Sequence, residues 1–384
     1  MSVLQIDEAP KTEYANSYQR AQTFVRRLFP VRRLRVRTAI CLLSAILLFN
    51  IASMDIFATT VDGLFFGNRS THTTTTKAAG TAAGTSTTTT NAMDVGVVVY
   101  DGSNTYRRLG NHIFAFAVVV DVAERSRRRV VATRKLQLDK VFDLTDVERV
   151  TGADELCPCF RFGEEKALAY DPRIEQMARP DNPKTQNLAI LLDGYYQSWK
   201  YARTVENRLR SYLVFLPDLL DYVDAFFERS APRSWNKGFT RVGIHVRRGD
   251  VASESAAKAG YSVPDETYFQ KAMQYMYAVV IRKRTQFVVC SDDPTWSRDH
   301  ITLAPYNRSN VDVTFCDGRR REEDFAVLSN CDHVIMSTGT FGWWAAWIAN
   351  GLTIFYSNWP LVNTSLYSAF NYDDFFPPTW IPME

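Results

Sequence analysis

Apolar and polar positions divide the chain into four regimes. The first 38 residues are mixed and polar, and Ala39 to Met54 (AICLLSAILLFNIASM) is an almost unbroken apolar run that stops at Asp55. Asn68 to Asn91 (NRSTHTTTTKAAGTAAGTSTTTTN) has almost no large apolar residue. From Val95 onward, apolar and polar stretches alternate to the C-terminus. The 16-residue run, extended by Thr38 and by Asp55 to Val61, approaches the ~20 residues a membrane-spanning helix needs. The pattern therefore predicts a cytoplasmic tail at 1–37, a signal anchor at 38–60 and a luminal stalk at 61–93. A cleaved signal peptide is the rival reading, but its charged leader would be unusually long and no small-x-small cleavage site follows. The Thr-rich stretch cannot bury a core and reads as a flexible stalk.

Within the remainder, two regions are expected, 94–236 and 237–384. The first begins with the strand VGVVVY (95–100) and otherwise reads as helix-rich. FAFAVVVDVAERSR (114–127) is apolar along one side, and two more helical stretches lie between Asp193 and Phe227. The second alternates. Five apolar runs, RVGIHV (241–246), TQFVVC (285–290), VDVTFC (311–316), DHVIMS (332–337) and LTIFY (352–356), are separated by helical patterns such as DETYFQKAMQYMYAVV, EEDFAVLSNC and FGWWAAWIAN. Short β-branched runs alternating with helices predict a parallel α/β sheet.

Each of these runs gives way to small or polar residues: Arg247, Arg248, Gly249 and Asp250; Ser291, Asp292 and Asp293; Asp317 and Gly318; Thr338, Gly339 and Thr340; Ser357 and Asn358. Ligands of parallel α/β sheets bind at the carboxyl ends of strands, so these residues mark a candidate site. Strand alternation puts Val242, Ile244 and Val246 on one face and His245 and Arg247 on the other. A guanidinium grips phosphate through two parallel N–H bonds, which an ammonium cannot do. Asp250 either holds Arg248 or binds polar groups of the ligand. Ser337 to Thr340, just ahead of FGWWAAWIAN, reads either as ordinary helix capping or as a second anion site at a helix start. RRLGNHIFAFA (107–117) is a glycine-containing turn entering a helix, and YYQSWKY (195–201) offers aromatic faces for packing or for sugar C–H groups.

Charge sharpens this picture. The chain carries +3 overall, but residues 1–38 hold eight Lys/Arg against three acids, so the remainder is near −2. That balance disfavours nucleic acid as a partner of the folded part, and basic residues ahead of the apolar run keep that end cytoplasmic. Five cysteines follow the run: Cys157, Cys159, Cys290, Cys316 and Cys331. In an oxidising lumen they allow one or two disulfides and leave at least one thiol over. Cys157 and Cys159 resemble half of a zinc site, but no second pair completes it. Sequons at Asn68, Asn307 and Asn363 suit a luminal chain.

From Val95 to the C-terminus the chain resembles the α-1,2-L-fucosyltransferases of glycosyltransferase family 11. His245-Val246-Arg247-Arg248-Gly249-Asp250 is similar to the family's HxRRxD motif. RLGNHIFAFA resembles its RLGNQMFxYA segment, and Tyr196-Gln197-Ser198-Trp199-Lys200-Tyr201 its FQSWKYF. Leu328 to Trp344 resembles a further block. Arg107 stands where the family has Gly, and His112 where it has Gln. The resemblance implies a GT-B-like pair of Rossmann-like domains facing a cleft, a GDP-fucose donor, no metal, and fucose transfer to the 2-hydroxyl of a galactose on a glycan, in a Golgi membrane with the catalytic part luminal. It further implies Arg247, His245 and Asp250 as catalytic residues. Arg248, Asn111, Gly110, Asp292, Asp293, Ser337, Thr338, Gly339, Thr340 and Phe341 would bind the donor, and Tyr196, Trp199 and His112 the acceptor. Asp250, Glu254 and a donor phosphate oxygen stand open as the base. The rival functions are fucosylation of a different acceptor and non-catalytic binding of a nucleotide or glycan.

Overall fold

The computed structural model describes residues 96–101, 108–235, 238–279, 284–303, 306 and 309–384. The predicted tail, anchor and stalk, and the sequons at Asn68 and Asn307, lie outside the described residues. No described helix is long and apolar enough to cross a membrane.

The described residues build two parallel sheets. The first joins β1 (Val97–Tyr100), β2 (Arg129–Thr133), β3 (Glu148–Val150), β4 (Cys159–Gly163) and β5 (Ala189–Asp193) in the order β3-β2-β1-β5-β4. The second joins β6 (Thr240–Val246), β7 (Thr285–Ser291), β8 (Val311–Phe315), β9 (His333–Met336), β10 (Thr353–Tyr356) and β11 (Ile381–Met383) in the order β11-β10-β9-β6-β7-β8. The helices are α1 (Leu109–Ser126), α2 (Arg173–Met177), α3 (Trp199–Arg203), α4 (Glu206–Tyr212), α5 (Pro217–Ser230), α6 (Glu254–Ala259), α7 (Glu266–Val279), α8 (Pro294–His300), α9 (Arg321–Ser329), α10 (Thr340–Ala349), α11 (Ser365–Ala369) and α12 (Tyr372–Phe375).

All five runs read as strands in the second half are strands. The helix-rich reading of the first half needs correction, because four further parallel strands lie there. β3 and β4 are edge strands with mixed exposure, so they lack the continuous apolar signature of a doubly covered strand. The central strand β1, by contrast, is buried along its whole length.

Strand order reverses once in each sheet. In the second sheet the chain runs outward from β6 through β7 to β8, then restarts beside β6 at β9. In the first it runs from β1 to β3 and returns beside β1 at β5. Such reversals open a crevice at the strand ends because the connections leave on opposite sides. The two crevices meet where the first turn of α1 abuts the first turn of α10. A Cβ on Gly110 would lie 2.5 Å from the Thr340 carbonyl oxygen and 2.7 Å from its Oγ1. Only glycine permits that approach.

Behind this contact the sheets share one core. Phe114 of α1 packs on Trp343 and Trp344 of α10, with ring centroids 4.6 and 4.9 Å apart. All three side chains are buried in a cluster that runs through both halves. The C-terminal segment crosses back onto the first half. Ser198 donates to the Asp374 carbonyl at 2.6 Å, the Trp199 indole N–H to that of Asp373 at 2.9 Å, and Lys200 pairs with the Asp374 carboxylate. The QSWK segment thus fastens the chain end to the first half. α10 ends as its Asn-Gly pair predicts, with Asn350 left-handed at φ 55°.

Candidate active site

β6 runs apolar to Val246 because both its faces are covered, and its last turn of chain carries the polar groups into the crevice. Arg247 lies there with its side chain 17% exposed. Its Nε and Nη2 donate to the two carboxylate oxygens of Asp250 at 3.0 and 2.8 Å. Its Nη1 sits where a Cβ on Gly339 would have to be, so that residue's φ of 99° and its missing side chain are both needed. Burial alone would lower the Arg247 pKa, but the bonded Asp250 carboxylate outweighs it and raises it further. Asp250 in turn is held below the usual carboxylate range, chiefly by Arg247. Arg108, entering α1 from the first half, reaches Asp250 at 3.1 Å. The pair of arginines and the shared carboxylate bridges the crevice.

His245 is buried beneath this layer, stacked on Phe341 at 5.5 Å. The Ser337 hydroxyl accepts from the Arg247 backbone N–H at 2.9 Å and shares a hydrogen bond with His245 Nδ1 at 3.2 Å. Burial, with the Arg247 charge second, pushes the imidazole down to about 3. His245 is a neutral supporting ring, not a group that titrates during a reaction at neutral pH.

The Ser337–Thr340 segment does not act as a side-chain cap. α10 has Gly339 at its N-cap and no side-chain capping bond. Its hydroxyls are used elsewhere: Thr340 donates to Asn111 Oδ1 at 2.7 Å, and Ser337 serves Arg247 and His245. The first-turn N–H groups of α10 are therefore left without a side-chain cap and carry the positive end of the helix dipole beside Arg247. Thr338 is buried and its hydroxyl has no partner.

Two cavities flank this layer, and Arg108, Arg247 and Thr340 line both. The first, about 470 Å³, takes in His245, Ser291, Asp292 and Phe341 together with Arg321 and Asp324, which the sequence reading did not single out. Asp324 is lifted to about 7 by burial, with the Glu323 charge next. It belongs to α9, whose EEDFAVLSNC pattern looked like an ordinary amphipathic helix start. Nothing in that pattern separates a cavity carboxylate from a solvated one. The second cavity, about 430 Å³, takes in Asn111, Gln197, Asp250 and Gly339.

Several expected site residues lie elsewhere. Arg248 turns to the opposite side of the strand end. Its guanidinium lies 3.8 Å from the Trp296 ring centroid, and its Nη1 donates to the Pro264 carbonyl at 3.2 Å. Asp293 caps α8, accepting from the Trp296 N–H at 3.2 Å. Asp292 does face the first cavity, and it accepts from the Arg248 backbone N–H at 2.7 Å. Gly110 provides close helix contact and lines neither cavity. Tyr196 cannot stack on a sugar: it is fully buried, with its hydroxyl donating to the Phe162 carbonyl at 2.9 Å. Trp199 has its N–H on Asp373 and Arg203 over its ring at 5.1 Å. His112 is buried in the first turn of α1 and lines neither cavity. Their neighbours Tyr195 and Gln197 reach the second cavity instead, because Tyr196 is left-handed at φ 50° and turns the chain. Glu254 pairs with Lys258 in solvent, its side chain 84% exposed. Asn363 is exposed.

Cys157 bonds Cys159, Cys290 bonds Cys316 at the ends of β7 and β8, and Cys331 is a buried free thiol. Asp324 gathers with Cys290 and Cys316. The two sulfurs are joined to each other, which removes the thiolates a metal would need.

Fold and crevice define a GT-B-like α/β protein, two parallel sheets with an anion-receptive layer between their switch points. The chain belongs to glycosyl transferase family 11, whose family model matches residues 193–384, half of the chain. It is 28% identical over 280 residues to galactoside alpha-(1,2)-fucosyltransferase 1 of Alouatta caraya, covering 71% of this chain and 72% of that protein. It is 29% identical over 284 residues to the Bos taurus protein of the same name, covering 71% and 73%. Among solved structures, an Arabidopsis thaliana FUT1 variant in complex with GDP matches with a TM-score of 0.48 at 14% identity, over 73% of this chain and 74% of that one. POFUT1 in complex with GDP matches with a TM-score of 0.44 at 11% identity, over 69% and 99%.

Proposed function

We propose that the protein is a galactoside 2-α-L-fucosyltransferase, moving L-fucose from GDP-β-L-fucose to the 2-hydroxyl of a galactose. The observation that carries the reading is Arg247, set between two cavities beside the uncapped first turn of α10. The names of the curated relatives supply the donor sugar and the acceptor.

The nucleotide occupies the first cavity. Its diphosphate meets Arg247, Arg108 and the α10 N–H groups, and its guanine reaches toward Asp324. Guanine presents two adjacent N–H donors on one edge, which a carboxylate accepts together. As the bond between the fucose anomeric carbon and the β-phosphate oxygen breaks, both electrons leave with GDP. The fixed positive groups stabilise that growing charge, an effect worth about 3–4 kcal/mol per well-placed donor. The galactose 2-oxygen attacks the opposite face, which inverts the β-linked donor to an α-fucoside. Its proton passes to Asp250, the carboxylate that faces the second cavity. Asp250 is a weak base because its pKa is depressed, but an oxygen already bonded to the sugar carbon is strongly acidic, so a weak base suffices.

The reading includes a single-pass anchor with the folded part in a secretory lumen. The basic residues ahead of the apolar run and the two disulfides support it. The full chain in detergent, given GDP-fucose and a panel of β-galactosides, tests the activity. Wild type should form an α-1,2-fucoside, and Arg247→Lys should cut kcat by roughly 10²–10³ because the fork is lost. Binding of GDP-fucose with no transfer, or fucose placed on another hydroxyl, would replace the proposal.

A further inference from the structure

The second cavity differs in chemistry from the first. Where the first has Arg321 and Asp324 beyond the shared arginines, the second has the rings of Tyr195, Tyr261 and Trp359 with Gln197 and Asp250. A nucleotide diphosphate finds fewer unspent donors there, because Arg247 and Arg108 already bond the Asp250 carboxylate on that side. A pyranose has a C–H face that suits an aromatic ring and hydroxyl edges that suit an amide and a carboxylate.

Tyr261 offers a partly exposed ring for such a face. It follows α6, whose C-cap Gly260 is left-handed at φ 115°, and its N–H donates to the Ala256 carbonyl at 2.9 Å. The Gly260 carbonyl accepts from Leu361 N–H at 2.9 Å, which ties this turn to the segment leading into α11. The Arg247 guanidinium lies over one face of the ring, 5.5 Å from its centroid, and buried Trp359 lies nearby in a tilted arrangement with centroids 6.4 Å apart, so a sugar would use the face away from Arg247. Tyr261 is only partly buried. The backbone beneath the platform is therefore set before any ligand arrives, which lowers the cost of binding.

We infer that the second cavity is the acceptor-sugar subsite, with Tyr261 as its stacking platform and Gln197 and Asp250 facing the hydroxyl edge. This rests on the transferase reading and names the substrate end of the same site. Arg247 touches both cavities, so a donor phosphate held from the first side leaves its sugar at the boundary where an acceptor on Tyr261 is within reach.

The test uses the full chain in detergent. Tyr261→Ala should raise the acceptor KM for lactose roughly ten-fold, the scale of one lost aromatic contact. GDP affinity by calorimetry should fall by much less than the acceptor KM rises in that variant, since Arg247 keeps both of its bonds to Asp250 when the ring is removed. Tyr261→Phe keeps the ring face and should restore the acceptor KM. Three results would overturn the inference: an unchanged acceptor KM in Tyr261→Ala, a GDP affinity that falls in step with it, or a Tyr261→Phe as poor as Ala. If Tyr261→Ala does not fold, Leu366→Trp at the wall of the same cavity takes its place with the same readouts. Lactose binding in the presence of GDP is also followed by saturation-transfer NMR, which needs no turnover. Wild-type binding that is lost in Tyr261→Ala, with no transfer by wild type, would sink the transferase reading and leave the subsite standing. Absence of lactose binding to wild type would sink the subsite.

Discussion

Gly110→Ala is the substitution whose cost follows most directly from the structure. The new methyl carbon would lie 2.5 Å from the Thr340 carbonyl oxygen, where ordinary contact begins at about 3.4 Å. The obstructing atoms are backbone at the start of α10, so no side-chain rotation relieves the clash. The helices must separate, and Phe114 must part from Trp343 and Trp344 behind them. Overpacking of this kind costs about 1–3 kcal/mol, and a backbone clash belongs at the upper end. At this chain size that is a fall in melting temperature of roughly 5–10 °C. The separation also pulls Asn111 from its 2.7 Å bond with Thr340, and a misplacement of about 1 Å at a reacting centre can lower kcat some 10²-fold. Thermal unfolding by circular dichroism and transfer kinetics on the same preparation measure both. Gly163→Ala is the control, because its methyl would find its nearest neighbour, the Asp193 carbonyl oxygen, at 3.8 Å. If Gly110→Ala melts with wild type and turns over within two-fold of it, the close helix contact is not what aligns the site.

Three further outcomes are expected. Arg248→Ala should lower stability by about 1–2 kcal/mol through the lost Trp296 and Pro264 contacts and leave GDP affinity unchanged; a ten-fold loss of affinity would put Arg248 back in the donor site. Asp324→Asn should weaken GDP binding, and wild-type affinity should fall as pH drops through about 7, where the carboxylate takes up its proton; calorimetry showing the same pH dependence in both proteins would remove Asp324 from the guanine. His245, pushed to about 3 when folded, stands near 6.5 when unfolded. Between those values the unfolded chain binds the proton first, so its contribution to stability is complete above pH 6.5 and is lost as pH falls toward 3. His245→Gln should flatten that acid limb, and a denaturation profile as steep as wild type would refute the assignment.

The sequence by itself determined five of the six strands of the second sheet, all but Ile381–Met383, and the strand-end edge at which the candidate site lies. Short β-branched apolar runs such as VGIHV and HVIM, set between helical patterns, read as strands covered on both faces, and the polar residues after them then sit at a strand end. Period-two alternation put Arg247 and His245 on one side. It did not show that Arg248 faces Trp296, because that depends on α8 lying against that face. The first sheet was largely hidden: ERV and CFRFG are edge strands whose exposure breaks the apolar signature. Tyr196 and Trp199 looked like sugar platforms because an aromatic side chain carries no mark of which way the backbone will turn it. Only the left-handed turn at Tyr196 and the returning C-terminal segment buried one and occupied the other. Tyr261, Gln197 and Asp324 line the cavities for the complementary reason. They are far apart along the chain, and it is the meeting of two switch points, allowed by a missing side chain at Gly110, that brings them to one crevice.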